Sequence, residues 1–259
     1  MIDVDGYLDR LGVETPERAD LATLRRLHDA HLRRIPFENA DVLRGFPIVL
    51  EPEALVRRLA MSRRGGFCYQ LNGAFAALLA ALGYDVELLA ARFHGAKIER
   101  PFGHLALRVT IGGVPWLTDV GGGYSFRQPL QIAEGLEQDD PGGRFRIVRV
   151  AEPSADDLAD PLDVEWRHGD GVFRPHYRFA PGAQPLAAFV ETCEWTRTSP
   201  DSSFTREWVC AVTTERGWAT LDDRRLRVTG ADGADEDREL PEGELDEALD
   251  RWFGIGPSG

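Results

Sequence analysis

The sequence is short of cysteine and of positive charge, and it lacks any long apolar run. Its three cysteines, Cys68, Cys193 and Cys210, form no C-x-x-C pair, and no histidine stands at metal-finger spacing from them. That excludes a disulfide framework and a zinc finger. An odd number of thiols leaves one unpaired under any scheme and fits a reducing compartment. The patterns H-E-x-x-H, G-x-x-x-x-G-K-[ST] and G-x-G-x-x-G are missing, so no metal and no redox cofactor is expected. No stretch approaches the eighteen apolar residues of a membrane span, and the first residues, MIDVDGYLDR, are acidic where a secretory signal needs basic ones. A formal charge of −13 over 259 residues repels nucleic acid and anionic membranes. The expectation is a cytoplasmic protein with neither of those partners, in which any polyanionic ligand needs a locally favourable site.

What is present is patterning that changes along the chain. Asp20 can cap a helix whose apolar positions Leu21, Leu24, Leu27, Leu32 and Ile35 fall near a 3.6-residue period and which Pro36 ends. A second helix is predicted over 53–61, after Pro52. A third covers 68–82, with Leu71, Phe75, Leu78, Leu79 and Leu82 as one stripe and Gly83 as its stop. From Tyr84 onward the pattern is of short strands, at 86–93, 105–111, 114–120, 145–150 and 172–179, which predicts an antiparallel sheet or small barrel. The acidic stretch 152–163 reads as a surface loop. Beyond Pro185 the expectation is a short helix at 186–194, strands at 207–213, 218–221 and 224–228, a polar loop at 230–237, and a closing helix carrying Leu245, Leu249, Trp252 and Phe253.

Two local features carry chemistry. In the run RRGGFC, two glycines precede Cys68, which opens an apolar helix. A helix start favours a thiolate, the form of sulfur that attacks acyl groups, and its unpaired N–H groups can receive an oxyanion. Taken alone, Cys68 fits core packing equally well, because it shares the stripe of Leu71 and Phe75. For Cys193 and Cys210, which have no such setting, core packing is the reading.

The second feature is GHLALRVTIGGVPWLTDVGGG, two alternating strands flanking Gly112-Gly113, the residue types of a two-residue hairpin turn. If Ile111 pairs with Val114, His104 and Asp119 become diagonal neighbours on one face, while Leu105, Leu107, Val109 and Ile111 meet Val114, Trp116, Thr118 and Val120 on the other. The spacing therefore predicts a His–Asp pair, the element that orients a general base. A solvent-facing histidine near an exposed aspartate is the plain alternative. With Cys68, the pair supplies the nucleophile, base and orienting carboxylate of covalent acyl transfer.

These residues resemble the arylamine N-acetyltransferase family. The resemblance rests on IPFENADVL (35–43), RRGGFCYQLNGAF (63–75), GHLALRV followed by WLTDVGGG, TSPDSSF (198–204) and, more weakly, the terminal WFGI. It implies an α+β fold with a cysteine-protease-like core: a helical domain over 1–83, an antiparallel barrel-like domain over 84–184 and a small α/β lid over 185–259. It implies acetyl transfer from acetyl-CoA through a Cys68 thioester, with His104 and Asp119 completing the triad, to an arylamine, arylhydrazine or N-hydroxyarylamine. It further implies CoA contacts at Arg100, Gly103, Trp195, Ser202 and Ser203, an acceptor pocket at Phe37, Phe67, Gly122, Tyr124 and Phe126, and a buried ion pair between Glu38 and Arg64. The sequence departs from the family at VGGG, where Gly122 replaces a bulky aromatic common in bacterial relatives, and at Pro101-Phe102-Gly103. Two alternatives stay open: an amide synthase of the same family acting on a chain bound to an acyl carrier protein, and a non-catalytic binding protein of the same fold. A cysteine protease or transglutaminase accounts for the Cys, His, Asp order but not for the other motifs.

Overall fold

The computed structural model describes residues 2–62, 64–95, 100–154, 157–167, 171–230 and 233–255. Arg63 of the RRGG run, residues 155–156 of the acidic stretch and residues 231–232 of the predicted polar loop lie outside them. Helix α1 (Val4–Leu11) was not anticipated; it is two turns long and buries only Tyr7, Leu8 and Leu11, too few positions to establish a period. Helix α2 (Leu21–Arg34) starts as expected, the Asp20 carboxylate accepting from the Thr23 N–H at 2.8 Å. Strand β1 (Phe37–Glu38), helix α3 (Ala40–Leu43), helix α4 (Pro52–Met61) and helix α5 (Cys68–Ala81) follow.

Helix α5 is the centre of the first apolar cluster. Leu71, Ala74, Phe75, Leu78 and Leu79 are sealed against α1, α2 and α4 on one side and against Leu105, Leu107 and Val109 on the other. The glycines before it are required by backbone approach. A Cβ on Gly65 would sit 1.8 Å from the Pro36 carbonyl oxygen, because residue 66 runs alongside β1 and its carbonyl accepts from the Glu38 N–H at 2.9 Å.

The middle of the chain forms β2 (Asp85–Phe93), β3 (His104–Ile111), β4 (Val114–Thr118), β5 (Leu130–Gln131), β6 (Gln138–Asp140), β7 (Gly143–Arg149), β8 (Leu162–Arg167) and β9 (Phe173–Gln184). They make one antiparallel sheet in the order β5-β4-β3-β2-β9-β8-β7-β6. It curls around Leu89, Ala106, Leu117, Phe145, Ile147, Val164 and Phe179. The two edges are joined through a side chain: Gln138 accepts from the Gln131 N–H at 2.7 Å and donates to the Gln131 carbonyl at 3.0 Å. That contact leaves the barrel nearly closed and covers edges that would otherwise offer unpaired backbone. The acidic stretch is not loop to its end, since β8 begins at Leu162 and Asp163 is buried in the barrel wall.

A 3₁₀ turn (Leu186–Phe189) leads into α6 (Val190–Thr198), and β10 (Val209–Thr213), β11 (Gly217–Asp222), β12 (Arg225–Gly230), β13 (Gly233–Glu239) and α7 (Leu245–Phe253) complete the chain. Strand β13 replaces most of the polar loop expected at 230–237. It is an edge strand, and acidic residues there are an ordinary guard against edge-to-edge pairing. The short β1 joins this second sheet, Phe37 opposite Ala211 and Glu38 opposite Cys210, so early and late parts of the chain are stitched together. Cys193 and Cys210 are both buried. Among the described residues no helix is long and apolar enough to cross a membrane.

At that seam Glu38, 1% exposed, accepts from Arg64 Nε at 3.0 Å and Nη2 at 2.8 Å and from the Ala40 N–H at 2.7 Å, and Arg58 lies 3.5 Å away. The expected ion pair is thus present and bidentate. Glu38→Gln leaves Arg64 without its bidentate counter-charge, while Arg58 keeps Asp41 at 2.8 Å. Because both retain some solvent, the loss should sit at the low end for a broken buried pair, about 3 kcal/mol, or roughly 6–12 °C in Tm. A thermal melt within about 2 °C of wild type contradicts this role.

Candidate active site

Cys68 is the first residue of α5 and is 6% exposed, at the wall of a cavity of about 590 Å³. The hairpin has the expected register: Ile111 pairs with Val114 and Leu107 with Thr118, around Gly112 and Gly113 at φ 57° and 80°. One step further along, Asp119 falls beside Ala106, and its Oδ2 lies 2.7 Å from His104 Nε2. With Nε2 so engaged, the other ring nitrogen is left for the Cys68 sulfur, which lines the same cavity wall as His104 and is close enough to favour charge on its ring. Sulfur, imidazole and carboxylate therefore meet, although they come from one helix and both arms of a hairpin.

The contact that fixes them was not singled out from sequence. Asn72 lies one turn beyond Cys68 on α5. Its amide donates to Asp119 Oδ1 at 2.8 Å and to the Leu105 carbonyl at 2.6 Å, and its Oδ1 accepts from the Val120 N–H at 2.9 Å. The i, i+4 relation to Cys68 puts both on one helix face, and that spacing was the available signal. Gly121 donates to Asp119 Oδ1 at 2.8 Å, and a Cβ there would stand 2.7 Å from the Cys68 Cα and 2.6 Å from Asn72 Nδ2. Only glycine lets the hairpin end rest on the helix start.

His28, on α2, was also missed. Its ring is fully buried, stacked on Phe126 at 5.9 Å. Nδ1 lies 3.0 Å from the Arg127 carbonyl, and Nε2 lies 3.0 Å from the Asp119 carbonyl and 3.2 Å from the Asp119 N–H. Burial lowers its pKa below the usual histidine value, so it is a neutral strut for the Asp119 backbone.

Burial works against charge on His104, but the Asp119 carboxylate and its hydrogen bond, with a smaller part from the Cys68 sulfur, raise its pKa to about 10. Burial likewise disfavours the Asp119 anion, yet the His104 charge and the hydrogen bonds from His104, Asn72 and Gly121 hold its pKa below the ordinary carboxylate value. The pair rests as imidazolium and carboxylate.

Around the cavity stand Phe37, Phe67, Arg100, Gly103, Gly122, Tyr124, Trp195, Ser202 and Ser203, all named above as candidate contacts. Arg100 lies over the Trp195 ring at 4.1 Å. The turn Arg100–Gly103, closed by Gly103 N–H to the Arg100 carbonyl at 2.9 Å, sits directly before His104 and is anchored by Tyr69 Oη donating to the Phe102 carbonyl at 2.8 Å. Phe126 is the exception: it is fully buried between His28 and Phe145 and does not reach the cavity. Tyr124 leans outward to stack on Trp218. The walls also include Phe93, Trp166, His176 and Thr196, residues of β2, β8, β9 and α6, and His94 in the turn after β2, none of which a local sequence pattern marks. Among the described residues no cluster of three or more His, Cys, Asp or Glu side chains is placed to hold a metal.

With this geometry in place, comparison with known proteins is direct. A family model for N-acetyltransferases matches residues 20–257. The arylamine N-acetyltransferase of Mycolicibacterium smegmatis is 32% identical over 98% of this chain and 92% of its own. The solved structure of the Nocardia farcinica arylamine N-acetyltransferase superposes with a TM-score of 0.89 at 33% identity, covering 100% of this chain and 91% of that one. The Mycobacterium marinum arylamine N-acetyltransferase, solved in complex with CoA, gives 0.87 at 31% identity over 98% and 93% of the two chains. The chain is an acyltransferase and belongs to the arylamine N-acetyltransferase family.

Proposed function

We propose that the chain moves an acetyl group from acetyl-CoA through a thioester on Cys68 to the nitrogen of an arylamine, arylhydrazine or N-hydroxyarylamine, with Cys68 as nucleophile, His104 as base and Asp119 as the group that orients it. The observation that carries this reading is the joining of sulfur, imidazole and buried carboxylate at the wall of one large cavity. The His104 imidazolium holds the proton given up by Cys68, and the sulfur attacks the acetyl carbonyl as a thiolate. The carbon–sulfur bond to CoA breaks, and the departing thiol leaves with the proton from His104. In the second half the amine nitrogen attacks the Cys68 thioester, His104 removes its proton, and the sulfur leaves. The positive end of α5, which Cys68 opens, favours the oxyanion in both halves.

The donor suits the cavity in charge. In a protein of net −13, Arg100 supplies a guanidinium at the cavity wall, and its buried Nε has no hydrogen-bond partner among the described residues. Arg100, Gly103, Trp195, Ser202 and Ser203 are the residues we assign to CoA. Phe37, Phe67, Gly122 and Tyr124 are assigned to the acceptor. The division at 84 and 185 into helical, barrel and lid domains, and residence in the cytoplasm, belong to the same reading. Carrier-protein amide synthesis draws no support from the relatives named above.

Incubation with acetyl-CoA should add about 42 daltons, the mass of an acetyl group, to Cys68. Cys68→Ser should show no adduct and no CoA release with an aniline acceptor; turnover in that variant sinks the assignment of the nucleophile. Asp119→Asn should lower kcat by about a hundredfold or more, since an amide can present the wrong partner to the imidazole, and retention of a tenth of wild-type kcat means that orientation is supplied elsewhere.

The pair also predicts a pH signature in stability. The raised His104 pKa stabilises the fold fully below 6.5, its ordinary value, and this is lost as pH rises through about 10. The lowered Asp119 pKa stabilises the fold above 3.8 and is lost as pH falls below that. The Tm difference between wild type and Asp119→Asn should therefore be largest between about pH 4 and 6.5 and shrink toward pH 10. Melts at pH 5.5, 7.5 and 9.5 that show a constant difference contradict the assignment.

A further inference from the structure

Strand β9 carries one residue too many for its partner. Val164 pairs with Tyr177 and Glu165 with Pro175, so His176 is the extra residue of a bulge. Bulges bend a strand and re-aim a side chain. Here the imidazole lines the same cavity as Cys68, His104 and Gly122. It is framed by Phe93 at 5.4 Å, Trp166 at 5.3 Å and Tyr177 at 5.6 Å between ring centroids. Its Nε2 is 3.1 Å from the hydroxyl of Ser125, itself buried, which leaves Nδ1 as the ring nitrogen for a ligand. Burial lowers the His176 pKa to about 4, so the ring is neutral and offers hydrogen bonding rather than charge.

Gly122 opens the approach. A Cβ at that position would touch the Ser125 Cβ at 3.5 Å and the Phe93 Cζ at 3.6 Å, so a larger side chain would fill the corner beside the residue that holds His176. What remains at that corner is the His176 ring framed by aromatic side chains. Its charge state limits what that group recognises. The nearby Arg92 and Arg178 are engaged by Asp157 and Asp163, and Asp119 is close enough to act on His176. An anionic substituent finds no free cation among these groups, whereas a neutral hydroxyl can both give and accept a hydrogen bond. The Ser125–His176 pair can meet it either way, because a hydroxyl rotor may donate to Nε2 or accept from it.

We infer that His176, fixed by Ser125 and exposed by Gly122, is a specificity-determining residue that recognises a neutral hydroxyl substituent on the aromatic ring of the acceptor. This rests on the arylamine reading above. A site built to bond a substrate hydroxyl discriminates against the analogue that lacks it, because its own polar group is then left unpaired.

The test compares 4-aminophenol with 4-methylaniline, near-isosteric acceptors, under saturating acetyl-CoA. The readout is the ratio of their kcat/KM values, and comparing that ratio between variants cancels the difference in intrinsic nucleophilicity. His176→Phe should lower the ratio about five- to tenfold, the worth of one neutral hydrogen bond. His176→Gln, which keeps a polar group of similar reach, should restore much of it, and Ser125→Ala should lower it about threefold by freeing the ring. A ratio within twofold of wild type in His176→Phe overturns the inference while leaving the arylamine reading intact. Failure of either amine to be acetylated by the wild-type protein overturns both. If His176→Phe does not fold, the Ser125→Ala ratio decides, and an unchanged value there overturns the inference.

Discussion

A carboxylate with no access to water has to be answered by donors from the protein, and at Asp119 those donors come from separate parts of the chain. His104 approaches along β3, Asn72 from the second turn of α5, and the Gly121 N–H from the hairpin's own end. An uncompensated ion in such a place costs several kcal/mol, so the helix and the hairpin are held in register by the need to satisfy one anion. The sulfur follows from that constraint. Because Cys68 and Asn72 share a face of α5, whatever positions the amide on the carboxylate also positions the thiol on the imidazole. The asparagine couples the sulfur to the imidazole through the carboxylate.

Close backbone approach is the other requirement, and it explains where glycine is indispensable. Gly65 lets the chain before α5 run against Pro36, and Gly121 lets the hairpin end lie on the Cys68 backbone. Both contacts are made by main chain, which cannot yield as a flexible side chain can. The ion pair of Glu38 with Arg64 closes the same seam from outside, where β1 joins the sheet formed mainly by the last third of the chain. The helix start that carries the sulfur is thus held by segments far apart in sequence.

Much of this was legible in the residues, and the division between legible and hidden has a physical basis. The hairpin could be read because strand period and turn chemistry are both local: Gly112-Gly113 set the register, and an apolar face forbade a slip. Helix α5 could be read from its stripe. What sequence could not supply was depth. Asp163 lies in an acidic run, yet it is buried in the barrel wall because Arg178 pairs with it and His94 hydrogen-bonds to it. Phe126 follows the hairpin by only a few residues and was placed in the acceptor pocket, but no strand period fixes the direction of a side chain in that connection, and it packs on His28 instead. Asn72 was quoted within a motif without a role because its partner lies on another element.

The cavity shows why such a site can keep its chemistry and vary its substrate. The reacting groups are set by α5 and one hairpin, whereas the walls are borrowed widely: Phe93 from β2, Trp166 from β8, His176 from a bulge in β9, and Trp195 from α6. None of those wall residues shares a hydrogen bond with Asp119 Oδ1, the oxygen on which the catalytic geometry turns. A change at His176 alters the slot without removing a hydrogen bond from the buried carboxylate, whereas a Cβ at Gly122 would stand 3.5 Å from Asp119 Oδ2. Conversely, a change at Asn72, which is not among the cavity's lining residues, or at Gly121, which rests on the Cys68 backbone, disturbs the sulfur and imidazole together. On the proposed reading, selectivity and catalysis are separable because His176 makes no hydrogen bond within the network that compensates one buried carboxylate.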